Sequence, residues 1–321
     1  MVRRPKISVL MAVFNAEKYL RQAMESILTQ TCIDFEFIIV DDASTDNSSK
    51  IINSYDDKRL RVINNQANIG LTKSLNIGIK HAQGDYIARQ DADDISLPNR
   101  LKAQLRHFQH YPETALLGTS AYGIDADGKI QGEIIVMADP RTRLSERNRF
   151  CHGSTMFKTQ IVRELGGYNE LFKYCQDYEL WLRIAQYHNV RNLTEILYKQ
   201  RFHPESVQFK KRHEAVLYRY LAVRLARNDL DAEALKLIKV KGIECLYPHL
   251  NNREKLFVNK VAAYMHMKNN NPHLARQEYR KVMRLNPLDL KNYVALILSY
   301  LGKSAWTVAH AHRDSKGFRR F

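Results

Sequence analysis

The chain has 321 residues, of which 45% are apolar and 26% are charged, and its formal net charge is +16. This composition excludes an intrinsically disordered chain, and the length suits one large globular domain or two ordinary ones. No apolar run reaches the roughly 18 residues of a membrane-spanning helix. The four cysteines show no C-x-x-C spacing, so they are expected to be buried or free thiols in a reducing compartment.

In chain order, apolar strands and amphipathic helices alternate through the first part of the sequence. The predicted strands are 6–14, 35–40, 60–63 and 85–88. The predicted helices are 17–30, 44–55, 70–82 and 99–110, and Ser44 is the expected N-cap of the second. This β-α-β-α-β-α-β order is typical of a parallel sheet with right-handed crossovers.

Acidic residues follow two of these strands. The second strand ends in Asp41-Asp42, and the fourth is followed by Asp91, Asp93 and Asp94. Ligands of α/β proteins bind beyond the carboxyl ends of parallel strands, so these groups are expected to share one cleft. Like charges repel, and a hard divalent cation with oxygen ligands would compensate them. The alternative is a solvated acidic turn in which Asp94 or Ser96 caps the next helix.

The first glycine of the chain is Gly70. The first predicted strand is therefore followed by neither a G-x-G-x-x-G sequence nor a P-loop. A nucleotide bound here would need a cation for its phosphates instead of a glycine-rich cradle. The same absence argues against a metal-dependent nucleotidyltransferase.

Several motifs, in one order, resemble the glycosyltransferase family 2 domain over about residues 5 to 205. They are ISVLMAVFN at 7–15, SILTQ at 26–30, FEFIIVDDASTD at 35–46, NIG at 68–70, GDYIARQDADD at 84–94 and PNRL at 98–101. The resemblance implies the GT-A fold, an α/β fold of nucleotide-diphospho-sugar transferases with a mostly parallel sheet. Ala12 and Phe14 depart from the family's usual Pro and Tyr.

The resemblance also implies a nucleotide site. Asp42 would accept a hydrogen bond from the N3–H of uracil or thymine, while Ala12, Phe14 and Asn15 would surround base and ribose. Lys73 would reach the diphosphate as a point charge. Local alternatives remain, because Asp42 could cap the following helix and Phe14 could belong to the core.

A metal site is implied in the same way. Asp93 would ligate Mn²⁺ or Mg²⁺ directly, and Asp91 would contact the ribose or the water molecules of the metal. The segment 201–206 resembles the family's R-x-H-x-x-S motif, so His203 would complete the metal site.

The acceptor side is expected near residues 176–183, QDYELWLR, which resemble the family's E/Q-D-x-x-L-W motif. The resemblance makes Asp177 the catalytic base. Asp177 could alternatively cap a helix, and Glu179 is the second candidate base, although helical geometry turns it away from Asp177. His152 could touch the acceptor, but a lone histidine is more often structural.

The charge is divided unevenly along the chain. Residues 1–206 hold 27 Lys+Arg and 25 Asp+Glu, whereas residues 207–321 hold 23 and 9. We therefore predict a GT-A domain over 1–206 and a basic, all-α appendage over 207–321. Its predicted helices are 213–228, 231–242, 252–268, 272–285 and 289–302. Part of 275–289 faintly resembles the end of a tetratricopeptide repeat. One weak repeat is fewer than a solenoid fold needs.

The function expected from these features is inverting transfer of a hexose or N-acetylhexosamine from a nucleotide-diphosphate sugar, a UDP-sugar, to an acceptor hydroxyl. The acceptor would be a saccharide or lipid-linked sugar in cell-surface polysaccharide or glycolipid synthesis. The protein would be cytoplasmic, with its basic region and aromatic tail, 313–321, on the anionic inner face of the plasma membrane. The alternative is an inactive α/β domain whose basic module binds nucleic acid or acidic partners. The intact acidic and Q-D-x-x-L-W motifs favour the enzyme, and no nucleic acid is expected.

Overall fold

The computed structural model describes residues 4–203 and 212–301. The chain divides into two compact units, Met1–His203 and Pro204–Phe321, called here the N-terminal and C-terminal units.

The N-terminal unit contains a nine-stranded sheet among its described residues. Its strands are β1 Ile7–Val13, β2 Phe35–Asp41, β3 Leu60–Asn64, β4 Tyr86–Arg89, β5 Ile95–Ser96, β6 Thr114–Ile124, β7 Ile130–Ile134, β8 Met156–Lys158 and β9 Asn189–Arg201. The α-helices are α1 Glu17–Leu28, α2 Ser48–Asn53, α3 Leu71–His81, α4 Arg100–His110, α5 Thr159–Glu164 and α6 Gln176–Tyr187. The strand order is β3-β2-β1-β4-β8-β6-β9-β5, with β7 beside β6.

The first four strands are parallel, which confirms the prediction from the alternating pattern. β1 and β2 are almost continuous apolar runs because both faces of this part of the sheet are covered. Val9, Met11 and Phe37 are fully buried and belong to one cluster with Leu20 and Met24 of α1. This core fixes the register of the strands that lead into the site.

The carboxyl ends of β1, β2 and β4 lie at one edge of the sheet. Val13 is in register with Asp41, and Leu10 is in register with Arg89. The residues that follow β2 and β4 therefore leave the sheet on the same side, as expected for the ligand-binding edge of a parallel sheet.

The second half of the sheet is mixed. β8 is antiparallel to both β4 and β6, whereas β9 is parallel to β6. β5 is antiparallel to the later part of β9, where Ile95 pairs with Lys199. This pairing holds the end of β9 beside the acidic turn that precedes β5.

One local prediction is wrong, and one local alternative does not hold. α2 begins at Ser48 with Asn47 as its N-cap, and Ser44 is not a cap because its hydroxyl accepts from the backbone N–H of Asn15 at 3.1 Å. Neither Asp94 nor Ser96 caps α4, whose N-cap is Asn99.

The C-terminal unit is helical over its described part. Its α-helices are α7 Arg212–Ala226, α8 Ala232–Lys241, α9 Asn252–Lys268, α10 Pro272–Leu285 and α11 Leu290–Tyr300. Asn251 and Glu254 form a capping box that begins α9. The basic aromatic tail, 313–321, lies outside the described residues. Within the described ranges, no helix is long and apolar enough to cross a membrane.

Candidate active site

Asp42 follows β2 directly and is buried. Its carboxylate accepts from the Asn65 side chain at 2.8 Å, from the N–H of Ile69 at 2.9 Å and from the N–H of Gly70 at 2.8 Å. Asp42 therefore holds the loop before α3 and does not cap α2. An ionised carboxylate offers about four acceptor positions, so one remains for a further donor.

The loop after β1 presents an aromatic ring. Phe14 is 48% exposed, so it does not belong to the core. Asn15 has φ 50 and its side-chain oxygen accepts from the N–H of Thr45 at 2.8 Å. The side chain of Asn15 thus fastens this loop to the one after β2. Ala12 is half-buried near the end of β1, and Lys73 is exposed in the first turn of α3.

Arg89 is a site residue that the sequence argument missed. It is fully buried at the end of β4, and its guanidinium donates to Asp91 Oδ1 at 2.6 Å, to the carbonyl oxygen of Leu10 and to His152 Nε2 at 3.2 Å. The available signal was an arginine that directly follows the apolar residues of a short buried strand. Arg89 holds one oxygen of Asp91, whose side chain remains partly exposed.

Asp93 and His203 come together although 110 positions separate them. His203 Nε2 lies 3.1 Å from Asp93 Oδ2. Arg201 donates from Nε to the backbone carbonyl of Asp93 at 2.8 Å and from its N–H to Asp94 Oδ1 at 2.7 Å. The end of β9 is thereby bound to the acidic turn.

The spacing of this pair suits two neighbouring ligands of a divalent cation. Ligands at right angles, each about 2.1 Å from Mg²⁺, would lie about 3 Å apart. Across residues 4–203 and 212–301 there is no cluster of three or more His, Cys, Asp or Glu side chains that could hold a metal. Phosphate and water oxygens would therefore have to complete the coordination, as is usual for Mg²⁺.

Asp94 has a different environment from the other two carboxyl groups of the turn. Burial, followed by the negative charges of Asp93 and Asp91, raises the pKa of Asp94 well above its ordinary value. Its hydrogen bonds go to the backbone of Arg201 and to Tyr198. Asp94 therefore supports the turn from inside, while Asp91 and Asp93 are the partly exposed carboxylates.

Asp177 is the second residue of α6, whose N-cap is Cys175, so Asp177 is not the cap. Its Oδ2 accepts from Asn148 Nδ2 at 2.8 Å. Asn148 Oδ1 in turn accepts from the N–H of Phe150 at 3.1 Å, which fixes the orientation of the amide. Among the described residues, Asp177 Oδ1 has no hydrogen-bond partner, so it is available to a substrate.

Glu179 is poorly placed to be the base. It is buried and forms an ion pair with Arg183, with 2.8 Å between Oε2 and the guanidinium. A carboxylate held in this way supports α6 instead of facing a substrate.

His152 contacts both Arg89 and Tyr168. Its Nε2 receives the hydrogen bond from Arg89 and lies 3.0 Å from the hydroxyl of Tyr168. Burial, followed by the positive charge of Arg89, lowers the pKa of His152, whereas Asp91 and Asp177 act in the opposite direction. Asp91 and Asp177 therefore act electrostatically on the same half-buried imidazole.

The sequence comparisons define the class of the protein. A model of the family described as glycosyl transferase family 2 matches residues 8–166. The putative glycosyltransferase EpsE of Bacillus subtilis is 38% identical over 216 residues, which span 65% of this chain and 76% of EpsE. The chain belongs to glycosyltransferase family 2, which confirms the predicted family and enzyme class.

Solved structures support the fold. S. aureus TarS 1–349, in complex with UDP-GlcNAc, matches with a TM-score of 0.58 and 18% identity over 92% of this chain and 91% of that chain. The mannosyltransferase PcManGT from Pyrobaculum calidifontis, in complex with GDP-Man and Mn²⁺, matches with a TM-score of 0.55 and 14% identity over 99% of this chain and 87% of that chain. At these identities the likeness concerns the fold, and it confirms the predicted α/β class with a GT-A sheet.

Proposed function

We propose that the protein transfers a sugar from a UDP-sugar to an acceptor hydroxyl with inversion at the anomeric carbon. The observation that supports this most is the placement of Asp177, which has one oxygen held by Asn148 and the other available. Arg89 bonds both Asp91 and the half-buried His152, and Asp177 also acts on this histidine, which supports a single site containing both carboxylates.

The donor proposal concerns the edge formed by β1 and β2. Asp42 retains one acceptor position, which suits the N3–H of uracil. Phe14 is exposed next to it and can stack on the base. Asn15 keeps the loop of Phe14 in place. Ala12 would line the ribose side, and Lys73 would reach the diphosphate. The UDP-GlcNAc bound by TarS supports a UDP-hexose or UDP-N-acetylhexosamine as donor.

Asp93 and His203 would hold Mn²⁺ or Mg²⁺, and Asp91 would contact the ribose or water bound to the metal. Such a cation supplies positive charge to the diphosphate that departs in the reaction. The donor atoms fit this role because a carboxylate oxygen and an imidazole nitrogen lie 3.1 Å apart. The Mn²⁺ in the PcManGT complex supports the same assignment.

Asp177 would act as the general base. Its free Oδ1 takes the proton of the acceptor hydroxyl while that oxygen bonds to the anomeric carbon. The bond from the anomeric carbon to the diphosphate oxygen breaks on the opposite face, and UDP leaves with the bonding electrons. The result is one glycosidic bond, inverted configuration and a protonated Asp177.

The proposed acceptor is a saccharide or lipid-linked sugar in polysaccharide or glycolipid synthesis. The basic residues of 207–321 suit the anionic inner face of a plasma membrane, so we propose peripheral association there from the cytoplasmic side. The alternative anionic partner is nucleic acid. In that case the basic region would bind nucleic acid and the N-terminal unit would be catalytically inactive.

The experiment for this proposal is UDP release from a panel of UDP-sugars, with Mn²⁺ and with excess EDTA. We expect release from at least one UDP-sugar, dependent on the metal, and weak binding of nucleic acid at physiological salt. Tight nucleic-acid binding without release from any UDP-sugar would instead support the inactive module.

A further inference from the structure

Helix α11 exposes apolar residues on one side. The exposed side chains recur at intervals of four, three and four residues, which is one face of a helix. They are Leu290 at 75%, Val294 at 55%, Ile297 at 59% and Leu301, directly after the helix, at 66%. The positions facing inward include the polar residues Asn292 and Ser299, both buried. The polarity of α11 is therefore the reverse of that in an ordinary surface helix.

The core of the C-terminal unit does not need this face. Ala295, Leu296 and Leu298 pack against a cluster that includes Ala263 and Tyr279. The four outward side chains are additional to this packing. A contiguous apolar strip on a surface typically marks contact with a membrane or another protein.

Cationic groups accompany the strip. The guanidinium of Arg276 lies 4.5 Å from the centre of the Tyr300 ring, and Arg280 donates to the Tyr300 hydroxyl at 3.1 Å. Tyr300 is itself exposed, as are Arg284 and Lys291. Tyrosine and arginine beside an apolar strip are typical of the headgroup level of a bilayer.

The acidic groups of this segment are already paired. The acidic residues of 272–301 are Glu278 and Asp289. Glu278 lies 2.7 Å from the ammonium of Lys281, and Asp289 lies 3.2 Å from that of Lys260. The arginines near the strip are therefore left to attract an external anionic surface.

We infer that the strip of Leu290, Val294, Ile297 and Leu301 inserts into the interface of an anionic membrane, with Tyr300 and its arginines at the headgroups. The inference rests on the proposed peripheral association and assigns it a contact face. Nucleic acid would satisfy the cations but not the apolar strip. If a second copy bound the strip by a two-fold contact, the arginines beside the strip in one copy would face the same arginines in the other and repel them.

The test uses the full chain and phosphatidylcholine vesicles with and without phosphatidylserine. The variant is Val294→Asp with Ile297→Asp. The matched control is Leu237→Asp with Val240→Asp, which adds the same two charges at residues 39% and 75% exposed on α8 of the same unit. Removing two inserted aliphatic side chains should weaken binding to phosphatidylserine vesicles by about a hundredfold. The control should bind like the wild type. Both variants should release UDP at the wild-type rate and give the circular dichroism spectrum of the wild type.

Salt separates the two components of binding. Electrostatic attraction is screened at high salt, whereas apolar insertion persists. The wild type should therefore keep measurable binding at high salt, and the double variant should lose it.

Equal vesicle binding by wild type and double variant would overturn the assigned face while leaving membrane association standing. Absence of wild-type binding would overturn both. Self-association removed by the double variant, without vesicle binding, would make the strip a subunit contact and also overturn the inference.

Discussion

The side chain of Asn148 should control the rate of transfer through Asp177. Asn148→Ala removes the 2.8 Å donor to Asp177 Oδ2 and leaves the carboxylate free to rotate. A hydrogen bond to a charged group contributes about 1.5–3 kcal/mol. If this hydrogen-bond free energy stabilises the transition state, its loss should lower kcat roughly 10- to 100-fold. KM for the donor should change little, because Asn148 contacts Asp177 and none of the groups proposed to bind the donor.

A second substitution distinguishes positioning from simple support of the fold. Asn148→Asp places another carboxylate beside Asp177 and favours the protonated form of the base. The acidic limb of the pH–rate profile should therefore move to higher pH. The assay is steady-state transfer over a range of pH, with UDP release as the readout.

The matched control is Asn259→Ala in the C-terminal unit. Asn259 is buried and exchanges hydrogen bonds with the Tyr247 hydroxyl at 2.8 and 3.0 Å. Its replacement should lower the melting temperature and spare kcat. The reasoning is refuted if Asn148→Ala behaves like this control and Asn148→Asp leaves the pH–rate profile unmoved.

Two further predictions concern the proposed metal ligands and His152. Asp93→Asn should keep the fold but lower kcat roughly a thousandfold, because the diphosphate loses its counter-charge; full activity of this variant would contradict the metal assignment. The lowered pKa of His152 keeps its imidazole neutral in the native state, whereas the unfolded chain takes up a proton near pH 6.5. The contribution of His152 to stability is therefore complete above about pH 6.5 and is lost as the pH falls below it. Urea unfolding near pH 7.5 and pH 5.5 should show a smaller pH effect for His152→Gln, and an unchanged difference would contradict this.

The first half of the fold could be predicted because its strands are continuous apolar runs between amphipathic helices. Each β-α-β step is local in the sequence, and the right-handed crossover fixes the order of the strands. β6, β8 and β9 were missed because their pairing joins distant segments. The late start of α2 was missed because Ser44 and Asn15 bind each other across two loops.

Part of the site followed from the same logic. Strand ends in a parallel sheet share one edge, so Asp42 and the acidic turn after β4 could be placed together from topology. The partners of these groups could not be predicted. Asn148 lies in an irregular segment 29 residues from Asp177, and no spacing rule links the two. Arg89 was weakly indicated in the sequence as a charged residue at the end of a buried strand. The sequence did not indicate which residues it contacts.

The most direct test of the proposed mechanism is Asp177→Asn. The amide cannot accept the proton of the acceptor, whereas the groups proposed to bind UDP lie on other elements. Calorimetry should show UDP affinity close to that of the wild type, and transfer should be lost because a general base acts in the transition state. Wild-type transfer by Asp177→Asn, accompanied only by a lower melting temperature, would show that Asp177 supports the fold and that the base lies elsewhere.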